Sequence, residues 1–122
     1  MISHRKINNK FTKEADKLDK ERKSINWEMS KFRHALFHVA DVCKTIVDCS
    51  VEFDIPKRLS ICYIFFKTRS IRMSYNCNTG MVNCIVLKNG CVTETRDCKV
   101  EKLSIAINEL KPKSKFMIVK TV

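Results

Sequence analysis

At 122 residues, with 44% apolar and 30% charged side chains, the chain has the size and composition of one globular domain, which leaves little room for a second core and argues against a disordered polymer. Twenty-four Lys and Arg against 13 Asp and Glu give a net charge of +11 and an isoelectric point near 9.5. Such a surplus points to nucleic acid or an acidic protein surface as partner. No apolar run approaches membrane-spanning length, since the longest, Ile61 to Phe66, has six residues, so no membrane partner is expected.

Residues 1–10 (MISHRKINNK) carry Arg5, Lys6 and Lys10 with no acid and read as a flexible basic arm. This polar start lacks the apolar stretch of a secretion signal. From Phe11 a helical pattern runs to about Cys49. Phe11, Leu18, Ile25, Phe32, Val39 and Ile46 recur every seventh position, and Ala15, Arg22, Met29, Leu36 and Cys43 follow four residues after the first five. That is an a/d heptad with Arg22 as its one polar member, and it predicts a long amphipathic helix over 11–49. At 1.5 Å per residue such a helix reaches about 58 Å, more than one small domain can cover. Its second half, with Trp27, Phe37, Ala40, Val42 and Val47, has a wide apolar face suited to docking on a sheet. Its first half has a narrow stripe suited to a partner helix, with Phe11, Ala15, Leu18 and Ile25 as the oligomer seam. Two shorter helices folded back on each other, with a turn near Ser24 to Asn26, satisfy the same spacing.

Residues 55–122 read as a small α+β domain. Leu59 to Lys67 is apolar on both faces at its centre, as in a central strand covered by a helix. Ile71 to Cys77 alternates, Asn78-Thr79-Gly80 is a turn, Met81 to Leu87 is a third strand, and Asn89-Gly90 signals a tight hairpin into Cys91 to Thr95. These four strands form an antiparallel meander. Asp97 is placed to cap a second helix over 98–110, which Pro112 ends, and Phe116 to Val122 reads as a final strand.

The seven cysteines are odd in number and several alternate with Val, Ile and Met, as small buried hydrophobes do. They fit an intracellular, reducing compartment, cytoplasm or nucleus, better than a disulfide framework. His34 and His38 stand four apart on the long helix, but no CxxC pair accompanies them, and no metal or other cofactor is expected. No nucleophile elbow, phosphate loop or metalloprotease motif occurs. Residues 55–93 contain no Asp or Glu, so the paired acids of hydrolysis or two-metal catalysis are missing and no enzymatic activity is expected.

That same stretch holds Lys57, Arg58, Lys67, Arg69, Arg72 and Lys88. With Arg5 and Lys6 from the arm, these are the candidate phosphate contacts, beside hydroxyl donors at Thr68 and Ser70. Among Tyr63, Phe65, Phe66 and Tyr75 a base-stacking residue is conceivable, with burial in the core the simpler account. The element order resembles small α-β-β-β-α RNA binders such as double-stranded-RNA-binding domains, and also kinetochore heads that follow a coiled coil. The resemblance is one of topology alone, because the second helix (DCKVEKLSIAINEL) lacks the lysine-rich opening of the former. The leading expectation is a non-enzymatic nucleic-acid-binding protein, RNA rather than DNA, gripping phosphates through a basic, acid-free sheet. The alternative is a coiled-coil assembly or adaptor module that binds an acidic protein, including an inhibitor of host proteins carried by a virus or mobile element. Either form would be a homo- or hetero-oligomer through the N-terminal helix.

Overall fold

The computed structural model describes residues 2–17, 22–54 and 56–112, with the side chains of 22–28 left aside. Where one long helix is predicted there are two. Helix α1 spans His4–Lys17 and α2 spans Arg22–Val42, and Ser24–Asn26, considered above as a turn, lies within α2. The arm expected over 1–10 is helical from His4. Ser3 starts it: its hydroxyl accepts the Lys6 N–H at 3.1 Å, an N-cap, and Ile7, Phe11 and Ala15 then follow at four-residue spacing on one buried stripe.

The two helices form an antiparallel hairpin. The His4 ring stacks on Phe37 near the far end of α2 (4.6 Å between centroids), and its Nε2 lies 2.7 Å from Asp41 Oδ1. Halfway along, Phe11 meets Phe32 edge to face at 6.0 Å. Phe11 and Ala15 are fully buried within the chain's own core. The expected oligomer seam is therefore corrected at these two positions: both side chains are already enclosed within the chain, Phe11 against Phe32 of α2. Leu18 lies outside the described residues, and Ile25 falls in α2 among the side chains left aside.

The heptad also ran too far. The chain leaves the helix at Val42, turns at Lys44–Thr45 and enters a strand, β1, Asp48–Asp54. Val42, Thr45, Ile46 and Val47 are β-branched, which weakens a helix. After them Cys49, Val51 and Phe53 alternate with Asp48, Ser50, Glu52 and Asp54, a period of two.

Four further strands follow: β2 Leu59–Phe65, β3 Ser70–Asn76, β4 Met81–Lys88 and β5 Cys91–Lys99. All five form one antiparallel sheet in the order β1-β2-β3-β4-β5. The predicted meander of four is thus present, with β1 added at its edge. Asn89 (φ 53°) and Gly90 (φ 77°) make the tight hairpin with both central residues in the left-handed region. Strand β5 is longer than its predicted Cys91–Thr95, because Asp97 pairs across the sheet, accepting from Asn83 Nδ2 at 2.7 Å, and caps no helix. A single 3-10 turn, Val100–Lys102, then leads into α3, Leu103–Leu110. The final strand predicted over Phe116 to Val122 lies outside the described residues.

Register decides which side chains share a face. Cys49, Val51, Phe53, Cys62, Ile64, Ile71, Met73, Tyr75, Val82, Cys84 and Val86 point to one side and pack on the helices. Phe32 of α2 stacks on Tyr75 at 5.4 Å, and Leu103, Ala106, Ile107 and Leu110 of α3 close the layer. Arg96 anchors α3 to β5 through Glu109 at 2.8 Å. Among the described residues all three helices lie on this face, and nothing covers the other.

Candidate nucleic-acid interface

The uncovered face is built from the alternate residues of every strand. Its cross-strand rows, read from the register, are Asp54-Leu59-Asn76-Met81-Lys99, Glu52-Ile61-Ser74-Asn83-Asp97, Ser50-Tyr63-Arg72-Ile85-Thr95 and Asp48-Phe65-Ser70-Leu87-Val92. A β-bulge between Val86 and Leu87 lets Val92 join the last row. The central strand read over Leu59 to Lys67 ends at Phe65, and helices do cover its Cys62 and Ile64 side. On the open side Ile61 is buried and Leu59, Tyr63 and Phe65 are half-buried, with no helix against them among the described residues.

Tyr63 and Phe65 stand two residues apart on β2, with rings parallel (10°) and centroids 6.2 Å apart. Arg72 is the cross-strand partner of Tyr63. Two residues further along β3, Ser74 is buried, and its Oγ has no hydrogen-bond partner among the described residues. An unsatisfied buried hydroxyl is costly, and Ile61 opposite it on β2 is buried as well, so this row of the face is enclosed. Aromatic faces, a guanidinium and a hydroxyl thus sit within three adjoining rows.

The turns at this end of the sheet are basic. Phe66 N–H bonds Arg69 O at 2.8 Å, closing a two-residue turn that exposes Lys67, and Lys88 opens the Asn89-Gly90 hairpin beside it. Lys44, in the turn before β1, is also exposed at this end. Lys111 lies close enough to Cys43 to offset part of the rise that burial imposes on that thiol. The acid in the last row, Asp48, is occupied: Lys6 Nζ sits 3.0 Å away, and this contact together with the Cys49 N–H holds its carboxyl below the usual carboxylate range.

The sequence-derived phosphate contacts therefore separate into groups. Lys67, Arg72 and Lys88 come together at the aromatic end. Arg69 belongs to the same turn but looks inward: its Nη1 donates to Leu110 O at 3.4 Å, at the C-terminus of α3, where a cation is favoured. Lys6 is engaged with Asp48, and Arg5 is exposed in the first turn of α1. Lys57 and Arg58 occupy the turn at the opposite end of the strands, about 20 Å away by strand rise. The acid-free description also needs correction, since it holds for β2 to β4 only. Strand β1 adds Asp48, Glu52 and Asp54 to the open face, and β5 adds Asp97.

His34 and His38 line an open groove of about 370 Å³ between α2 and the start of α3, with Lys31, Glu101 and Ser104. The His34 Nδ1–H donates back to Ser30 O at 2.9 Å. Among the described residues no three His, Cys, Asp or Glu are grouped to hold a metal ion, and no helix is long and apolar enough to cross a membrane. No protein-family model matches the chain, and neither a curated protein nor a solved structure shows significant similarity to it.

Proposed function

We propose that this is a non-enzymatic nucleic-acid-binding protein that takes single-stranded RNA on the open face of its sheet. The stacked pair Tyr63 and Phe65, half-buried beside Arg72 on the side of the sheet that carries no helix among the described residues, is the observation that carries the reading. Every base has a π-face, so exposed aromatics on a sheet bind single strands with little sequence preference. Arg72 adds a planar cation beside the stack, and Lys67 and Lys88 supply charge for the phosphates on either side. The Ser74 hydroxyl, enclosed in the free fold, becomes a donor and acceptor for a base edge or a 2′-hydroxyl once the side chains around it part, which favours RNA over DNA. A duplex fits less well, because its bases are already stacked on one another.

The test is fluorescence anisotropy of the full chain with a short single-stranded RNA, its DNA counterpart and an RNA duplex, across a salt series. The single strand should bind best. Replacing both Tyr63 and Phe65 by Ala should cost at least about tenfold in affinity. Lys67→Gln with Lys88→Gln should flatten the logarithmic salt slope by roughly 1.4, about 0.7 per phosphate contact on a single strand. No binding at low salt, or binding indifferent to the aromatic pair, would overturn this reading. A second reading, an adaptor whose basic end docks an acidic protein, draws on the lysines and not on the stack. It predicts that the lysine variants alone abolish function.

A further inference from the structure

The two edges of the sheet are unlike. On β1 the outward N–H groups of Cys49 and Phe53 are taken by carboxylates: Asp48 Oδ1 accepts the first at 2.7 Å, and Glu14 Oε1, reaching from α1, accepts the second at 3.1 Å. This edge is blunted by side chains, a common defence against further strands. Strand β5 has no such cover among the described residues, and Cys91 to Thr95 are all exposed.

The backbone of β5 is set for pairing. Val100 N–H donates to Gly80 O at 2.9 Å, which fixes the alternation along the β4–β5 ladder. Glu94, Arg96 and Cys98 then turn their amides toward β4, whereas Thr95 and Asp97 turn theirs outward. An antiparallel copy of β5 centred on Thr95 would exchange both Thr95 hydrogen bonds with its twin. The same register sets Glu94 opposite Arg96 of the second copy, twice by symmetry, and Thr93 opposite Asp97. Glu94 and Arg96 already share a face, since they lie 3.9 Å apart within the chain. Opposite charges facing each other across strands are stabilising, so the strand complements itself in this register.

We infer that the β5 edge is a homodimer interface, in which two chains pair antiparallel about Thr95 to make one continuous ten-stranded sheet. Because the β1 edges are capped, extension stops at two copies and gives a closed, two-fold dimer in place of a filament. This inference is independent of RNA binding and moves the expected oligomer contact from the N-terminal helix to the opposite side of the fold.

Sedimentation equilibrium of the reduced full chain tests it. The mass should be twice the 14.2 kDa of one chain. Thr95→Pro removes an amide that faces away from β4, so the monomer fold tolerates it while the central hydrogen bonds are lost. This variant should sediment as a monomer with an unchanged far-ultraviolet spectrum. Glu94→Lys, at an exposed side chain, places like charges opposite each other twice and should weaken dimerisation roughly tenfold. A monomeric parent chain, or dimers unaffected by both variants, overturns the proposal. So does a full chain that is monomeric while one ending at Pro112 dimerises, since residues 113–122 would then be what occupies this edge.

Discussion

The two faces of the sheet are made from the same strands and nearly the same kinds of residue, yet they do different work. On β2, Cys62 and Ile64 point inward and are buried by helices, while Tyr63 and Phe65 point outward and are half-buried, with no helix over them among the described residues. The covered face fills its volume with aliphatic residues, thiols and one aromatic stack, Phe32 on Tyr75. The open face mixes aromatics with the polar side chains of Arg72, Ser74 and Asn83. Apolar content therefore does not separate core from binding surface here. What separates them is whether a second layer is present.

That contrast can be broken most forcefully from the covered side. Phe32→Ala removes a fully buried ring that touches both Phe11 and Tyr75, and should cost about 3–5 kcal/mol of stability in urea unfolding. Tyr63→Ala or Phe65→Ala should each cost roughly 1 kcal/mol or less, as half-exposed cross-strand residues do. Equal losses on both sides would show the open face to be core as well, covered by something outside the described residues.

Ser74→Ala sharpens the comparison with effects of opposite sign. Deleting a buried hydroxyl that has no partner should leave stability unchanged or raise it by up to about 1 kcal/mol. If that hydroxyl serves RNA, affinity should fall by about fivefold in the same protein. A drop in stability would mean that the hydroxyl is already satisfied in the free fold.

The smallest effect concerns the thiols. Burial, followed by Cys98 beside it, pushes Cys84 up to about 12, and on the same face Cys62 is raised by its hydrogen bond to Cys49 and by burial. Both stay protonated and enclosed at neutral pH. Cys91, in the hairpin at the open edge, is exposed. A water-soluble thiol reagent should therefore label Cys91 fastest, with that phase lost in Cys91→Ser, the partly exposed Cys77 and Cys98 following more slowly and the buried thiols reacting only on unfolding.

Local chemistry carried a good part of the architecture. The strands from Leu59 to Leu87 followed from alternation and turn residues, and Asn89-Gly90 fixed a hairpin because few other pairs accept two positive φ values. The stop of α3 before Pro112 was equally local. Two further local signals were present but outweighed by the seven-residue spacing: the Ser3 cap that starts α1 at His4, and the Cys49-Val51-Phe53 alternation that makes β1. A heptad records only that apolar residues fall on one stripe. Helices that fold back on each other bury such a stripe as well as helices from two chains do, so Phe11 and Ala15 could not reveal in advance that their partner was α2.

The sequence by itself determined that this chain makes an α+β domain with an antiparallel meander, a strong positive charge and many buried cysteines, because those follow from periodicity, turn chemistry and composition. Only the tertiary structure decided that the described helices gather on one face of the sheet, leaving Tyr63 and Phe65 half-buried on the other beside Arg72, and that Arg69 turns inward while Lys67 and Lys88 stay out. The physical reason is that a strand apolar on both sides carries no mark of which side will be covered. That choice rests on where the helices dock, which is a property of the whole packed layer.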